Sequence, residues 1–293
     1  MATTPEPLGP EQSESRYFVK DSGAELARLV EQEQAFTRAL GGLIPEHPDL
    51  DAFLAPFHRV LDVACGSGGW VLSLAQAYPH LEVMGFDIDE RMINYANTQA
   101  RVGGLDNASF KVIDLNNSLD YPDNYFDLVN ARFMTVIPTT TWPSAERELV
   151  RITRPGGIIR HTEAEHYSVT NGPAFEDLSG KWLRAFKSSG CTFSPDGRNT
   201  GNTPVLRRIL REAGCQNIQI KPWVIDWSAG TPDHAAFFED IRTLMKLVQP
   251  FLTAMGEATQ EEADQLYHQA EVEMMSDDFC ALWYLLTAWG QKP

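Results

Sequence analysis

Several features are scarce in this sequence, and each scarcity excludes a class of protein. Its 293 residues include only four cysteines, and none has the Cys-x-x-Cys spacing or the neighbouring histidines of a zinc site. We therefore expect no bound metal, and reduced thiols in a cytoplasmic protein. No apolar run is long enough to cross a bilayer, so a membrane protein is not expected either.

Basic residues are also scarce, with 24 Lys and Arg against 40 Asp and Glu and a net charge of −16. A surface this acidic repels phosphate backbones and anionic lipids, so neither nucleic acid nor a membrane is an expected partner. The expected partner is a small molecule. The oligomeric state stays open, with a homodimer among the alternatives.

The chain divides into three parts by composition. Residues 1–16 are rich in Pro, Glu, Ser and Thr and predict a disordered tail. Residues 17–56 contain an amphipathic helix and predict an N-terminal helical cap. Residues 57–293 predict one α/β domain, in which a helical insertion at about 233–274 precedes the last strand and would serve as a lid or substrate wall.

Short apolar strands alternate with helices through the predicted α/β domain. The strands are predicted at 58–64, 82–87, 108–113, 125–130, 158–163, 217–227 and 279–289. Strands separated by single helices favour a parallel sheet with helices on both faces. The sequence thus predicts a doubly wound, mostly parallel sheet of seven strands, of the Rossmann-like type.

A glycine-rich turn follows the first of these strands. The apolar run ends at Asp62, and Gly66-Ser67-Gly68 then leads into a helix-forming segment. Glycines in such a turn let a ligand approach the backbone, and the helix N-terminus offers free N–H groups. The pattern predicts a nucleotide-type ligand at this turn, although the glycines could also serve the turn alone.

An acidic residue at the end of the second strand narrows the range of possible ligands. Asp87 lies nineteen positions after Gly68, where a carboxylate can accept hydrogen bonds from ribose hydroxyls. This spacing also fits NAD, but Val71 stands where the dinucleotide pattern needs a small residue. In addition, Asp62 would repel a pyrophosphate and attract an ammonium or sulfonium group.

A third acid follows the third strand. Asp114 could accept a hydrogen bond from an adenine amino group, with the Leu115 N–H as a nearby donor. Its alternative role is that of a turn residue. Three acids and a glycine turn without paired basic residues describe a cationic adenosine ligand that lacks phosphates, and S-adenosylmethionine is such a ligand.

These segments resemble the class I S-adenosylmethionine-dependent methyltransferases, in particular the small-molecule enzymes of ubiquinone and menaquinone biosynthesis. The matching motifs are Val60-Leu61-Asp62-Val63-Ala64-Cys65-Gly66-Ser67-Gly68, Gly85-Phe86-Asp87-Ile88-Asp89, Asp114, Tyr121-Pro122-Asp123-Asn124-Tyr125-Phe126-Asp127-Leu128-Val129 and Arg154-Pro155-Gly156-Gly157.

The resemblance implies a distribution of roles among the cofactor-binding residues. The glycines would pack against the methionine part, Asp87 would hold the ribose and Asp114 the adenine. The turn Asn130-Ala131-Arg132 would line the methionine and the reacting face, and Ile88 and Leu115 adjoin two of the acids.

The fifth predicted strand is unusually polar for the centre of a sheet. Alternation puts His161 and Glu163 on one face, and His166 follows shortly after. A histidine is a natural general base, and Glu163 could orient it or hold a substrate donor. The alternative is that the strand ends early and these are loop residues.

The acceptor class follows mainly from motifs that are missing. The turn after strand four lacks the Asn/Asp-Pro-Pro-Tyr/Phe pattern, no Cys follows a Pro there, and no persuasive set of magnesium ligands exists. A small organic acceptor remains. Its pocket is predicted from Tyr17, Tyr167, Trp182 and Phe238, for which ordinary core packing is the alternative.

The sequence thus predicts an enzyme that methylates a small organic acceptor at O, N or C and releases S-adenosylhomocysteine. One alternative is a non-catalytic S-adenosylmethionine-binding scaffold or sensor of the same fold. Another is an NAD-dependent oxidoreductase.

Overall fold

The structure is a computed structural model that describes residues 23–165 and 168–293. The predicted tail at 1–16 and the predicted site residues Tyr17, His166 and Tyr167 lie outside the described residues.

One eight-stranded sheet forms the centre of the protein. Its strands are β1 Arg59–Val63, β2 Glu82–Asp87, β3 Ala108–Val112, β4 Phe126–Arg132, β5 Thr153–Ala164, β6 Val169–Thr170, β7 Gln216–Asp226 and β8 Ala281–Gln291. The order is β3-β2-β1-β4-β5-β8-β6, with β7 also paired to β8. Strands β1 to β5 are parallel to one another, whereas β8 runs antiparallel to β5, β6 and β7. The predicted mostly parallel sheet is confirmed, and the short β6 is the strand that the sequence did not predict.

Helices cover both faces of this sheet. Their bounds are α1 Gly23–Leu40, α2 Leu50–Leu54, α3 Gly69–Ala77, α4 Glu90–Gly103, α5 Trp142–Ile152, α6 Pro173–Ser188, α7 Asn202–Glu212, α8 His234–Ala254 and α9 Gln260–Met274. Helices α2, α3 and α4 pack on one face, and α5 and α7 on the other. Among the described residues, no helix has the length and apolarity that a membrane crossing requires.

The central strands are apolar because both of their faces are covered. Val60 and Leu61 are adjacent on β1, yet Val60 packs under α3 and α4, and Leu61 under α5. Side chains alternate between the faces of a strand, so a strand that is covered twice reads as a continuous apolar run.

A separate group of helices packs at the carboxyl end of β5. Helices α1, α6, α8 and α9 share one apolar core with Ala164 at the end of β5 and Ile225 near the end of β7. The buried guanidinium of Arg28 fastens α1 to α8 through a 2.6 Å contact between Nη1 and Asp240 Oδ1. The two segments predicted as cap and lid are therefore in contact with each other.

Strand β5 is buried from Gly157 to Ala164, although much of this part is polar. Arg160, His161, Thr162 and Glu163 are each at most 2% exposed, and the strand continues to Ala164. Each of these side chains contacts a polar group on another element, as the Thr162 and Thr287 hydroxyls do at 2.9 Å. The early end of the strand, the alternative considered from the sequence, does not occur.

His161 and Glu146 form a buried pair between β5 and α5. His161 Nε2 lies 2.6 Å from Glu146 Oε1, and the two groups meet as an ion pair rather than through a directed hydrogen bond. Burial opposes the charge on the imidazole, but the Glu146 carboxylate outweighs it and raises the pKa of His161 above its ordinary value.

Glu146→Gln is expected to lower the free energy of unfolding by about 3–5 kcal/mol, because it leaves a buried imidazole without its counter-charge. A raised histidine pKa contributes stability below pH about 6.5, and this stability is lost as the pH rises through the folded-state pKa. Urea unfolding between pH 5.5 and 9 tests this. A variant as stable as the unsubstituted protein at pH 6 would contradict it.

Candidate functional site

A half-open pocket lies at the carboxyl ends of β1 and β4, under helix α1. The residues that line it are Leu29, Gln32, Glu33, Phe36, Asp62, Ala64, Cys65, Gly66, Ser67, Arg132 and Phe133. Its cavity volume is about 80 Å³, and the empty space is about 480 Å³ when the open mouth is included. The structure thus brings together four of the predicted cofactor residues, Asp62, Gly66, Ser67 and Arg132.

Left-handed backbone concentrates around this pocket. Ala64 and Phe133 have φ of 52° and 57°, and Gly66 has φ of 52°. This conformation costs a non-glycine residue about 1–2 kcal/mol, and such residues cluster at ligand sites. Sequence reasoning missed Ala64 and Phe133, because neither residue type indicates a positive φ.

The two loop glycines have different surroundings. A Cβ at Gly66 would meet nothing within 4 Å, so the loop is open on that side. A Cβ at Gly68 would lie 2.5 Å from Phe110 Cε1 and 2.8 Å from Ala96 Cβ. Gly66 leaves room for a ligand, whereas Gly68 allows the start of α3 to pack against β3 and α4.

The Asp87 carboxylate joins two loops at the edge of the sheet. Oδ2 accepts the Gly66 N–H and Oδ1 accepts the Asp89 N–H, both at 2.9 Å. Burial raises the pKa of Asp87, against the effect of these backbone hydrogen bonds. A carboxylate has further acceptor capacity for hydroxyl donors. The neighbouring Ile88 is 40% exposed and offers an apolar surface beside it.

Asp114 and Leu115 follow β3 at the same edge of the sheet. Asp114 Oδ1 accepts the Asn116 N–H at 2.9 Å and Asn116 Nδ2 at 2.7 Å, which makes it a turn residue. Its other oxygen accepts no hydrogen bond from the part of the chain that the structure describes. The turn and the predicted adenine contact can therefore both use this carboxylate.

A buried row of polar side chains reaches the pocket through Asp62. Asn130 Nδ2 donates to Asp62 Oδ1 at 2.7 Å, and Arg160 Nη1 donates to Asn130 Oδ1 at 2.6 Å. Arg160 also holds the Glu46 carboxylate through Nη2 at 3.0 Å. Burial raises the pKa of Asp62 to about 6, although Arg132 and the Asn130 hydrogen bond lower it.

Negative charge exceeds positive charge at the pocket. Arg132 Nη2 lies 3.4 Å from Glu33 Oε1, while its buried Nε has no hydrogen-bond partner among the residues that the structure describes. Glu33, Asp62 and the adjoining Asp87 give three carboxylates against the one guanidinium, since Arg160 and Glu46 balance each other. In the described ranges 23–165 and 168–293, no three His, Cys, Asp or Glu side chains are grouped as metal ligands.

The structure does not bring the described acceptor and proton-transfer candidates to this pocket. His161 and Glu163 are 0% exposed within β5, and Trp182 is 3% exposed and stacks on Phe186 at 5.7 Å. Phe238 is half-buried on α8. None of the four lines the pocket, and His161, Glu163 and Trp182 are buried in the core instead. For Trp182 this is the core packing considered as the alternative.

Comparisons with known proteins agree with this geometry. A family model described as "Methyltransferase domain" matches residues 60–157. Demethylmenaquinone methyltransferase of Geobacillus kaustophilus is 29% identical over 182 residues, which cover 58% of this chain and 76% of that protein.

Two solved structures share the fold. Phosphoethanolamine N-methyltransferase 2 of Haemonchus contortus has a TM-score of 0.51 at 17% identity, covering 97% of this chain and 61% of that one. The YcgJ protein of Bacillus subtilis has a TM-score of 0.50 at 16% identity, covering 81% of this chain and 93% of that one.

The two loop glycines give a matched pair of substitutions. Gly66→Ala is expected to cost about 1–2 kcal/mol through its positive φ. Gly68→Ala adds about 1–3 kcal/mol for overpacking against Phe110. Urea unfolding of both variants measures the difference. Equal losses would show that the packing at Gly68 is not tight.

Proposed function

Because this chain is a class I S-adenosylmethionine-dependent methyltransferase, similar to those of menaquinone biosynthesis, we propose that its acceptor is a small organic molecule. The methyl group is transferred to an O, N or C atom of that molecule, and S-adenosylhomocysteine is released. The observation that carries the proposal is the excess of carboxylates over cations in a pocket beside a glycine turn. A phosphate-bearing cofactor such as NAD would be repelled there, whereas a sulfonium is attracted.

We propose a role for residues of the pocket and of the adjoining strand ends toward each group of the cofactor. We assign the ribose hydroxyls to Asp87 and the adenine to Asp114, with Ile88 and Leu115 beside the ring. We assign the methionine ammonium to Asp62, and its carboxylate to Arg132, whose buried Nε has no hydrogen-bond partner within the described part of the chain. A guanidinium binds a carboxylate in a forked geometry, which makes this pairing chemically favourable.

Catalysis by this chain rests mainly on positioning and on the exclusion of water. Bound S-adenosylmethionine supplies an electrophilic methyl group that is displaced in line by the acceptor. Leu29 and Phe36 of α1 cover the pocket from above, and Phe133 closes one side. Holding two reactants in an aligned geometry lowers a barrier by up to about 7–11 kcal/mol.

A general base is needed only if the acceptor loses a proton. His161 and Glu163 are enclosed in the core, so we propose His166, which lies outside the described residues, for this role. A positioned base contributes roughly 10²–10⁴-fold. Tyr17 and Tyr167, also outside the described residues, remain proposals for the acceptor pocket.

The ribose assignment is tested with Asp87→Ala. Calorimetry with S-adenosylhomocysteine is expected to show binding by the unsubstituted protein and no measurable binding by this variant, because the ribose hydroxyls lose their acceptor. Asp89→Asn is the matched control, since Asp89 caps α4 by accepting the Arg91 N–H at 2.9 Å, and an amide oxygen can do the same. Unchanged affinity in Asp87→Ala would reject the assignment.

Turnover distinguishes the enzyme from a scaffold or sensor. The protein is incubated with methyl-labelled S-adenosylmethionine and a panel of hydroxylated, amino and heteroaromatic compounds, including quinols. Label in an organic product, absent without protein, is the expected result. Tight binding with no transfer to any class of compound would favour the scaffold. A thermal shift with NAD and none with S-adenosylhomocysteine would favour the oxidoreductase.

A further inference from the structure

The buried carboxylate of Glu163 holds the turn that follows β4. Oε1 accepts the Met134 N–H at 2.8 Å, and Oε2 accepts the Thr135 hydroxyl at 3.2 Å. Asn202 at the start of α7 donates to Oε2 at 3.3 Å. Glu163 is 0% exposed, so these hydrogen bonds form out of contact with water. Hydrogen bonds to a charged group contribute more than those between neutral groups.

This turn determines where Phe133 lies. Phe133 has φ of 57° and ψ of 44°, and it precedes a 3-10 turn over Met134–Val136. Its N–H donates to the Thr162 carbonyl at 3.0 Å, and its ring packs 4.7 Å from that of Phe36 on α1. A strained conformation persists only where the surroundings fix it. Met134 and Thr135, which directly follow Phe133, are the two residues of this turn that donate hydrogen bonds to Glu163.

We propose that Glu163 is a positioning residue, whose carboxylate fixes the turn after β4 and thereby keeps Phe133 as a wall of the cofactor pocket. This inference rests on the proposed function, because it assigns the pocket to S-adenosylmethionine. It gives Glu163 a role through Phe133 rather than in contact with the reactants.

The electrostatic surroundings show that stability alone does not explain a carboxylate at this position. Burial raises the pKa of Glu163 to about 7, against the hydrogen bonds from Met134 and Asn202 and the charge of His161. His161 lies two residues before Glu163 on the same face of β5, and Glu146 faces His161 from α5. Glu165 lies two residues after Glu163, directly beyond the end of the strand.

The raised pKa of Glu163 determines how the stability of the fold changes with pH. The unfolded state ionises first, so the folded state loses stability as the pH rises from about 4.5 to about 7. An ionised Glu163 therefore lowers stability at neutral pH, while it supplies acceptors for the turn.

Calorimetry with S-adenosylhomocysteine tests the role in the full-length protein. Glu163→Ala removes both acceptors and is expected to weaken binding on the order of tenfold or more, the equivalent of one charged hydrogen bond. Glu163→Gln keeps an oxygen for the Met134 N–H and is expected to bind within about threefold of the unsubstituted protein. If the alanine variant does not fold, Glu163→Asp replaces it, because the shorter side chain cannot reach both Met134 and Thr135.

Glu165→Ala is the matched control, at the residue directly after the same strand. Its carboxylate accepts the Gly201 N–H at 2.7 Å and the Thr203 hydroxyl at 2.6 Å, and it does not contact the turn after β4. We expect a lower melting temperature with unchanged affinity for S-adenosylhomocysteine. A loss of affinity as large as that of Glu163→Ala would overturn the inference.

A double-mutant cycle separates positioning from a general structural effect. In a Phe133→Ala background, Glu163→Ala is expected to weaken binding no further, because the wall that it positions is already absent. Additive losses would overturn the inference. Failure of the unsubstituted protein to bind S-adenosylhomocysteine would instead reject the proposed function, so the two failures are distinguishable.

Discussion

The buried row Glu46–Arg160–Asn130–Asp62 is the interaction on which the rest of the structure depends. Asp62, Asn130 and Arg160 are direct neighbours in the register of β1, β4 and β5, so their side chains meet without a change in the sheet. All are at most 2% exposed, and removing one member of such a row leaves an uncompensated buried group at a cost of about 3–5 kcal/mol. The row also connects Glu46, in the segment before β1, to the pocket at the carboxyl end of β1.

The position of Asp62 at the end of this row explains why the pocket favours a cation. One hydrogen bond from Asn130 does not offset its burial, as its pKa of about 6 shows. A cationic group in the pocket would lower that pKa and stabilise the ionised form. The same constraint that fixes the register of three strands thus leaves unbalanced charge where the methyl donor is proposed to bind.

The sequence predicted the fold, and four of the residues that line the pocket, for physical reasons that are local. Strands covered on both faces read as apolar runs, and residues after parallel strands meet at one edge, which is why Asp62, Gly66 and Arg132 converge. The role of His161 could not be read in this way, because its partner Glu146 lies on another element and no spacing rule connects them. The small volume available at Gly68 likewise depends on Phe110, which is distant in the chain.

The polar side chains of β5 each contact a different part of the structure. Within β5, Arg160 contacts the buried row, His161 contacts α5 and Glu163 contacts the turn after β4. Glu165, directly after the strand, contacts the start of α7. Because each of these polar side chains of β5 contacts another element, none of them is available to contact an acceptor. The acceptor therefore meets its contacts elsewhere, and α1 is the cap element that both lines the pocket and is fastened to α8. Acceptor specificity is accordingly expected to vary with the helices of the cap, while the sheet beneath them stays the same.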